Sequence, residues 1–140
     1  MAQVTEKSCS DTGSLPLKGA LDVVRCRQTV RRIAEGVKFS VVGQTMLVTA
    51  ASELARNTVI HGGGGKFSWQ VITAGATRGV RLSFEDDGPG IPDIGRAMTN
   101  GWTSGKGLGL GLPGTKRLVD EFDLESLPGR GTRVVITRWV

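Results

Sequence analysis

The apolar residues of this 140-residue chain fall into two helical rhythms followed by two pairs of short β-like runs. From Ala20 to about Val37, Val23, Val24, Val30, Ile33 and Ala34 recur near the 3.6-residue period and predict an amphipathic helix. A second helix is predicted from about Val42 to Ile60. There the rows Met46, Ala50, Leu54 and Leu47, Ala51, Ala55 make adjacent stripes, the arrangement of a helix laid on a sheet. Gly62 to Gly65 ends it, because consecutive glycines lose too much backbone entropy to continue a helix. Lys66–Thr73 and Val80–Glu85 predict a hairpin joined through residues 74–79. Asp93–Met98 suits a short helix and Asn100–Lys106 a mobile loop. Pro113–Glu121 suits a further helix, with Pro113 in its first turn. Phe122–Leu127 and Thr132–Trp139 predict a second hairpin, closed by Pro128-Gly129-Arg130-Gly131.

Hairpin-linked strands separated by helices imply an α+β fold, a two-layer α/β sandwich. Its sheet should be mixed but mostly antiparallel, with the helices on one face, rather than doubly wound and parallel. Residues 1–14 are polar and unpatterned and are expected to form a flexible tail, leaving residues 15–140 as a single domain.

The formal net charge is +5. Its densest basic cluster, Arg25, Arg27, Arg31 and Arg32, lies within one predicted helix and reads as a solvated face. Aromatic residues make up 5% of the chain and form no stacking pattern, so no nucleic-acid partner is expected. A cationic surface equally suits an anionic nucleotide or an acidic protein. No apolar run approaches the roughly 18 residues of a membrane span. With no signal-peptide pattern either, the expectation is a cytoplasmic protein without membrane contact. Cys9 and Cys26 lack metal-ligand spacing and are expected to be reduced thiols.

Three short motifs carry the candidate chemistry. Gly105-Lys106-Gly107-Leu108-Gly109-Leu110-Gly111-Leu112 is a glycine-rich loop entering a helix, where bare backbone can bring N–H groups close to phosphate. It is no Walker A loop, since Thr115-Lys116 follow in the wrong order. It is no Rossmann fingerprint either, since no strand leads into it. Asp86 ends a predicted strand immediately before Asp87-Gly88-Pro89-Gly90. A carboxylate there can accept from the exocyclic amine of adenine and would repel the oxygen guanine carries at that position; an ordinary turn aspartate is the alternative. Glu53 and Asn57 lie one helical turn apart on one face. An Asn oxygen suits Mg²⁺ whose charge is balanced by a nucleotide, and a nearby Glu suits a general base. A solvated polar stripe would look the same. His61 extends that stripe and suits a helix-terminal role.

Taken in order, Glu-x-x-x-Asn, Asp-x-Gly-x-Gly, Gly-x-Gly-x-Gly and the Gly-x-Gly-Thr of residues 129–132 resemble the GHKL (Bergerat-fold) ATPases: gyrase, Hsp90, histidine kinases and MutL. The resemblance covers roughly residues 20–140. It implies Glu53 as the catalytic base, Asn57 as the Mg²⁺ ligand and Asp86 as the adenine contact supported by Thr132. It also implies Gly88, Gly90, Ile91 and the loop from Gly105 to Leu112 (Gly105, Lys106, Gly107, Leu108, Gly109, Leu110, Gly111, Leu112) as further ATP-binding residues.

Within that family, Glu53-Leu54-Ala55-Arg56-Asn57, Asp87 to Ile94, Gly107 to Gly114, Lys116-Arg117-Leu118, Asp120-Glu121-Phe122 and the closing Arg138-Trp139 are similar to the RsbT-type switch kinases of bacterial partner-switching systems. Lys106 is one residue more than their loop carries. The resemblance implies a serine/threonine kinase acting on a STAS-domain antagonist or scaffold, able on release to activate a PP2C-type phosphatase. A sister branch, of anti-sigma factors, binds a sigma factor directly and shares the ATP site. A nucleotide-gated binding module is the non-enzymatic alternative, although such a module needs no base at Glu53.

Overall fold

The computed structural model describes residues 11–90, 98 and 111–140. In chain order these form β1 (Thr12–Leu17), α1 (Ala20–Val37), α2 (Val41–Ile60), β2 (Gly65–Ala74), β3 (Thr77–Asp86), α3 (Gly111–Lys116), β4 (Glu121–Leu127) and β5 (Gly131–Trp139). The five strands make one sheet in the order β1-β2-β3-β5-β4, and every neighbouring pair is antiparallel.

Register decides the two faces. Leu15 pairs with Phe67, Phe67 with Phe84, and Phe84 with Val134, so these side chains share one side of the pleat. Leu82 and Ile136 pair on the same side. Together with the apolar faces of α1 and α2 they make one core, in which the Phe67 and Phe84 rings stack with centroids 5.2 Å apart. The opposite face carries Ser14, Ser68, Ser83 and Arg81 and has no helix over it among the described residues.

α2 begins where the Ser40 hydroxyl accepts the Gly43 N–H at 3.0 Å, a side-chain cap for an otherwise orphaned donor. α1 ends with Lys38 in the left-handed conformation (φ 76°). The N–H groups of Lys38 and Phe39 return to the carbonyls of Glu35 and Ala34.

Several expectations need correction. Thr12 to Ser14, read as part of a tail, lie in β1, an edge strand in which Pro16 is tolerated. Val24 is 40% exposed, because its neighbour Val23 takes the inward direction 100° away on the helix. The first hairpin turns at Gly75-Ala76 alone, so both strands run longer than predicted. α3 stops at Lys116 rather than Glu121. After it the N–H groups of Leu118 and Val119 bond three residues back, and the Asp120 N–H is held by the Thr137 carbonyl of β5, so the chain joins the sheet instead of continuing the helix. The helix expected over Asp93–Met98 and the loop over Asn100–Lys106 lie outside the described residues, apart from Met98, which packs against the core. Cys26 is fully buried in α1, and burial pushes its thiol up to about 12, which makes it an inert core residue; Cys9 lies outside the described residues. No described helix is long and apolar enough to cross a membrane.

Candidate functional site

Asp86 is the last residue of β3, on the helix-covered side of the sheet at the end reached by the C-terminus of α2. Three pieces of backbone that carry no side chains pack around this residue, and one of them, Gly62, lies against the carboxylate itself. A Cβ on Gly62, just past α2, would overlap the carboxyl group itself. A Cβ on Gly131 would run into the Asp86 carbonyl, and one on Gly88 would lie 2.7 Å from the Gly62 carbonyl oxygen. The three glycines are therefore one device, a wall of bare backbone around one acid. Two adjoining turns lock together as well, since the Gly129 N–H donates to the Pro89 carbonyl at 2.7 Å.

Opposing effects act on that acid. Burial raises its pKa above the ordinary 3.8 and the neighbouring Asp87 charge adds to the rise, while the N–H groups of Gly88 and Thr132 pull it down. The Gly88 N–H lies 2.9 Å from Oδ1. Thr132 is the register partner of Asp86 on β5, and Ser126 is the register partner of Thr132 on β4, so the three side chains form a row across the sheet end. The row borders a cavity of about 250 Å³ rimmed by Glu85, Arg130 and Arg133. A partly buried acceptor beside a wall without side chains can take the amine-bearing edge of a flat ring.

α2 supplies the second group. Glu53 is 9% exposed, with its Oε1 3.9 Å from Nη1 of Arg56, one turn on. Asn57 is half-buried, and its main-chain oxygen accepts from the N–H groups of both His61 (2.9 Å) and Gly62 (3.2 Å). The Gly62 that bonds Asn57 is the Gly62 that touches Asp86, so one residue joins the helix motif to the strand motif. His61 caps the end of α2, the helix-terminal role expected of it.

The third group is described only at its end. Gly111 opens α3 at a φ of 72°, and Leu112, Pro113 and Thr115 are buried where α3 packs on α2. The Thr115 hydroxyl bonds the Gly111 carbonyl at 3.0 Å. Ile91, Gly105, Lys106, Gly107, Leu108, Gly109 and Leu110 lie outside the described residues. Among the described residues no cluster of His, Cys, Asp and Glu could hold a metal by itself. A cation near Asn57 would thus take most of its oxygens from a ligand and water.

Sequence reasoning singled out Gly131 only within the Gly-x-Gly-Thr motif and gave Gly62 and Ser126 no place beside Asp86. Gly62 had a visible signal as the first glycine after a helix, but a helix stop and a ligand wall look alike in sequence.

A family model described as histidine kinase-, DNA gyrase B-, and HSP90-like ATPase matches residues 43–139. The chain belongs to this ATPase family. ATP is the nucleotide that membership implies. The chain is also 42% identical to the serine/threonine-protein kinase RsbT of Bacillus subtilis (strain 168) over 119 residues, 85% of this chain and 90% of that protein. It is 35% identical to the anti-sigma F factor of Thermoanaerobacter sp. (strain X514) over 97 residues, 66% of this chain and 67% of that one. These likenesses put it on the protein-kinase branch of the family. Among solved structures, the RsbU and RsbW domains of Rv1364c from Mycobacterium tuberculosis share its fold with a TM-score of 0.61 at 19% identity. That match covers 90% of this chain but only 32% of the other.

Proposed function

We propose that this protein is an ATP- and Mg²⁺-dependent serine/threonine-protein kinase of a bacterial partner-switching system. Its substrate is a serine or threonine on a STAS-domain antagonist or scaffold. Released from that substrate, the kinase binds and activates a PP2C-type phosphatase. The observation that carries the reading is the wall of Gly62, Gly88 and Gly131 around Asp86, tied through Gly62 to Asn57. The residues fit ATP: a Cβ at any of the three glycines would meet either Asp86 or the neighbouring wall, and the carboxylate offers lone pairs to an amine.

When bound, ATP and Mg²⁺ supply the phosphoryl group and neutralise developing charge. Asp86 selects the base, with Thr132 beside it. Asn57 presents one neutral oxygen to the cation. Glu53, one turn earlier on the same helix face and 3.9 Å from the Arg56 guanidinium, takes the proton from the acceptor hydroxyl. Gly88, Gly90, Ile91, Thr132 and the segment from Gly105 to Leu112 complete the nucleotide-binding set.

A second reading is favoured by the likeness to anti-sigma F factors: a kinase that also binds a sigma factor directly. A nucleotide-gated module without transfer is disfavoured, since it has no use for a nearly buried Glu53. Incubation with labelled ATP, Mg²⁺ and candidate STAS proteins tests the kinase reading, and transfer to a serine or threonine is the expected result. Affinity capture of a sigma factor rather than a STAS protein or phosphatase would favour the second.

A further inference from the structure

The sheet face turned away from α1 and α2 carries its side chains in rows, because register partners share one side of the pleat. In the row nearest Asp86, Lys66, Glu85, Arg133 and Glu125 follow one another across β2, β3, β5 and β4. The next row runs Ser14, Ser68, Ser83, Val135, Asp123. The third runs Thr12, Gln70, Arg81, Thr137, Glu121. Charge is divided across these rows. The edge strand β4 presents three exposed acids, Glu121, Asp123 and Glu125, and no base. β1 and β2 present the base Lys66 and no acid. A hollow of about 410 Å³ lies on that second half, bordered by Ser14, Lys66, Ser68, Gln70, Arg81 and Ser83.

A face divided in this way can match itself. Consider a two-fold axis lying in the face, parallel to the strands and between β3 and β5. It sets β4 of one copy over β2 of the other, and β5 over β3. Glu125 then faces Lys66, and Arg133 faces Glu85. Asp123 faces Ser68, Glu121 faces Gln70 and Thr137 faces Arg81. Each acid meets a cation or a hydrogen-bond donor, and the acids of β4 enter the hollow. An axis on β3 would instead set Arg81 against Arg81 and Lys66 against Arg133. An axis on β5 would set Glu125 against Glu85 and Arg133 against itself. Like charges directly opposed are repulsive, so the pattern selects one of the three.

We propose that this uncovered face is an isologous docking surface for a second copy of the chain, with the β4 acids of each copy seated on the β2–β3 half of the other. Sheets packed in this way keep their strands within about 30° of one another, and every contact occurs twice. The surface is polar and its pairing ionic, which makes the dimer reversible and sensitive to salt. Asp86 and α2 lie on the covered side of the sheet, so both nucleotide clefts of the pair face outward. Pairing therefore neither blocks nor requires the nucleotide.

Sedimentation velocity of the full chain over a concentration series tests this. The wild type should form a reversible dimer at low salt that dissociates at about 1 M salt, where screening acts within about 3 Å. Lys66→Glu and Glu125→Lys should each raise the dimer dissociation constant at least about tenfold, since each places two like-charge pairs in the interface. Mixing these two variants should recover association close to wild type, because each copy supplies the charge that the other has reversed. Asp123→Lys, which brings a cation into the hollow beside Lys66 and Arg81, should weaken the dimer similarly. It carries the test should one of the other variants not fold. A wild type still monomeric at roughly 0.1 mM in low salt overturns the proposal, since even weak specific pairs form there. So does a dimer indifferent to the charge reversals, or one that mixing fails to recover.

Discussion

The carboxylate of Asp86 lies against the bare Cα of Gly62, so closely that a methyl group there would occupy the place of the carboxyl. Gly62 is fixed from the other side by its N–H bond to the Asn57 carbonyl. Gly62→Ala should therefore displace Asp86 rather than be absorbed. Overpacking of this kind costs about 1–3 kcal/mol. The variant should melt lower and bind ATP at least about tenfold more weakly, since the lost contact is a charged hydrogen bond. Thermal melts with and without nucleotide check both, and unchanged ATP affinity in a folded variant would remove Gly62 from the site.

Asp86→Asn should weaken ATP and narrow its advantage over GTP. Asn keeps an acceptor for the Gly88 N–H but replaces the anion with a neutral amide that can face the guanine oxygen as a donor. Calorimetry with both nucleotides decides, and an equal ATP affinity in variant and wild type would sink the adenine assignment.

The raised pKa of Asp86 has a sign that can be checked in the nucleotide-free protein. Its folded-state pKa lies above the unfolded value, so the folded state binds more protons between the two. Stability from this group is fully present below the ordinary 3.8, is lost as pH rises through the raised value, and stays lost above it. Asp86→Asn should accordingly gain melting temperature relative to wild type at neutral pH, and the gain should shrink as pH falls through that window. A gain that is flat with pH would mean the burial penalty is not the cause. ATP, which favours the ionised form, should bind more tightly as pH rises over the same range.

Asn57→Ala should lose Mg²⁺-dependent turnover, because the neighbouring Thr58 hydroxyl is buried and bonded back to the Leu54 carbonyl and so is no substitute. Asn57→Asp should keep part of it. Normal Mg²⁺-dependent turnover by Asn57→Ala would show the ligand assignment to be mistaken.

Glu53→Ala should bind ATP nearly as wild type yet transfer phosphate to its protein substrate at least about 100-fold more slowly, the usual contribution of a positioned base. Single-turnover assays measure the step directly. An unchanged rate removes Glu53 as the base, and partner switching that survives in cells would point to a nucleotide-gated module.

The two long helices and the hairpins were legible along the chain because their signals are local. The stripes of α2 and the alternation of β2 and β3 repeat within a few residues, and the run from Gly62 to Gly65 stops the helix wherever it is placed. The motif order also carried the family. β1 escaped because Thr12 to Leu17 hold only two inward apolar residues and a proline, and become a strand by pairing with β2. There the Trp69 ring needs the bare Gly13, and its indole N–H reaches Asp11 at 3.1 Å. α3 was read too long because its helical rhythm continues past Lys116 while the Thr137 carbonyl, distant in sequence, captures the Asp120 N–H. Sequence alone thus marked Glu53, Asn57 and Asp86 as candidates for chemistry, each with a bland alternative, and the family resemblance added Thr132. Tertiary structure decided that Gly62 packs on the Asp86 carboxylate, Gly88 donates to it and Gly131 packs on its main chain, and that Thr132 stands between Asp86 and Ser126. Contact between glycines leaves no periodic trace, and the row of Asp86, Thr132 and Ser126 exists only because strand pairing brings three residues distant in sequence together.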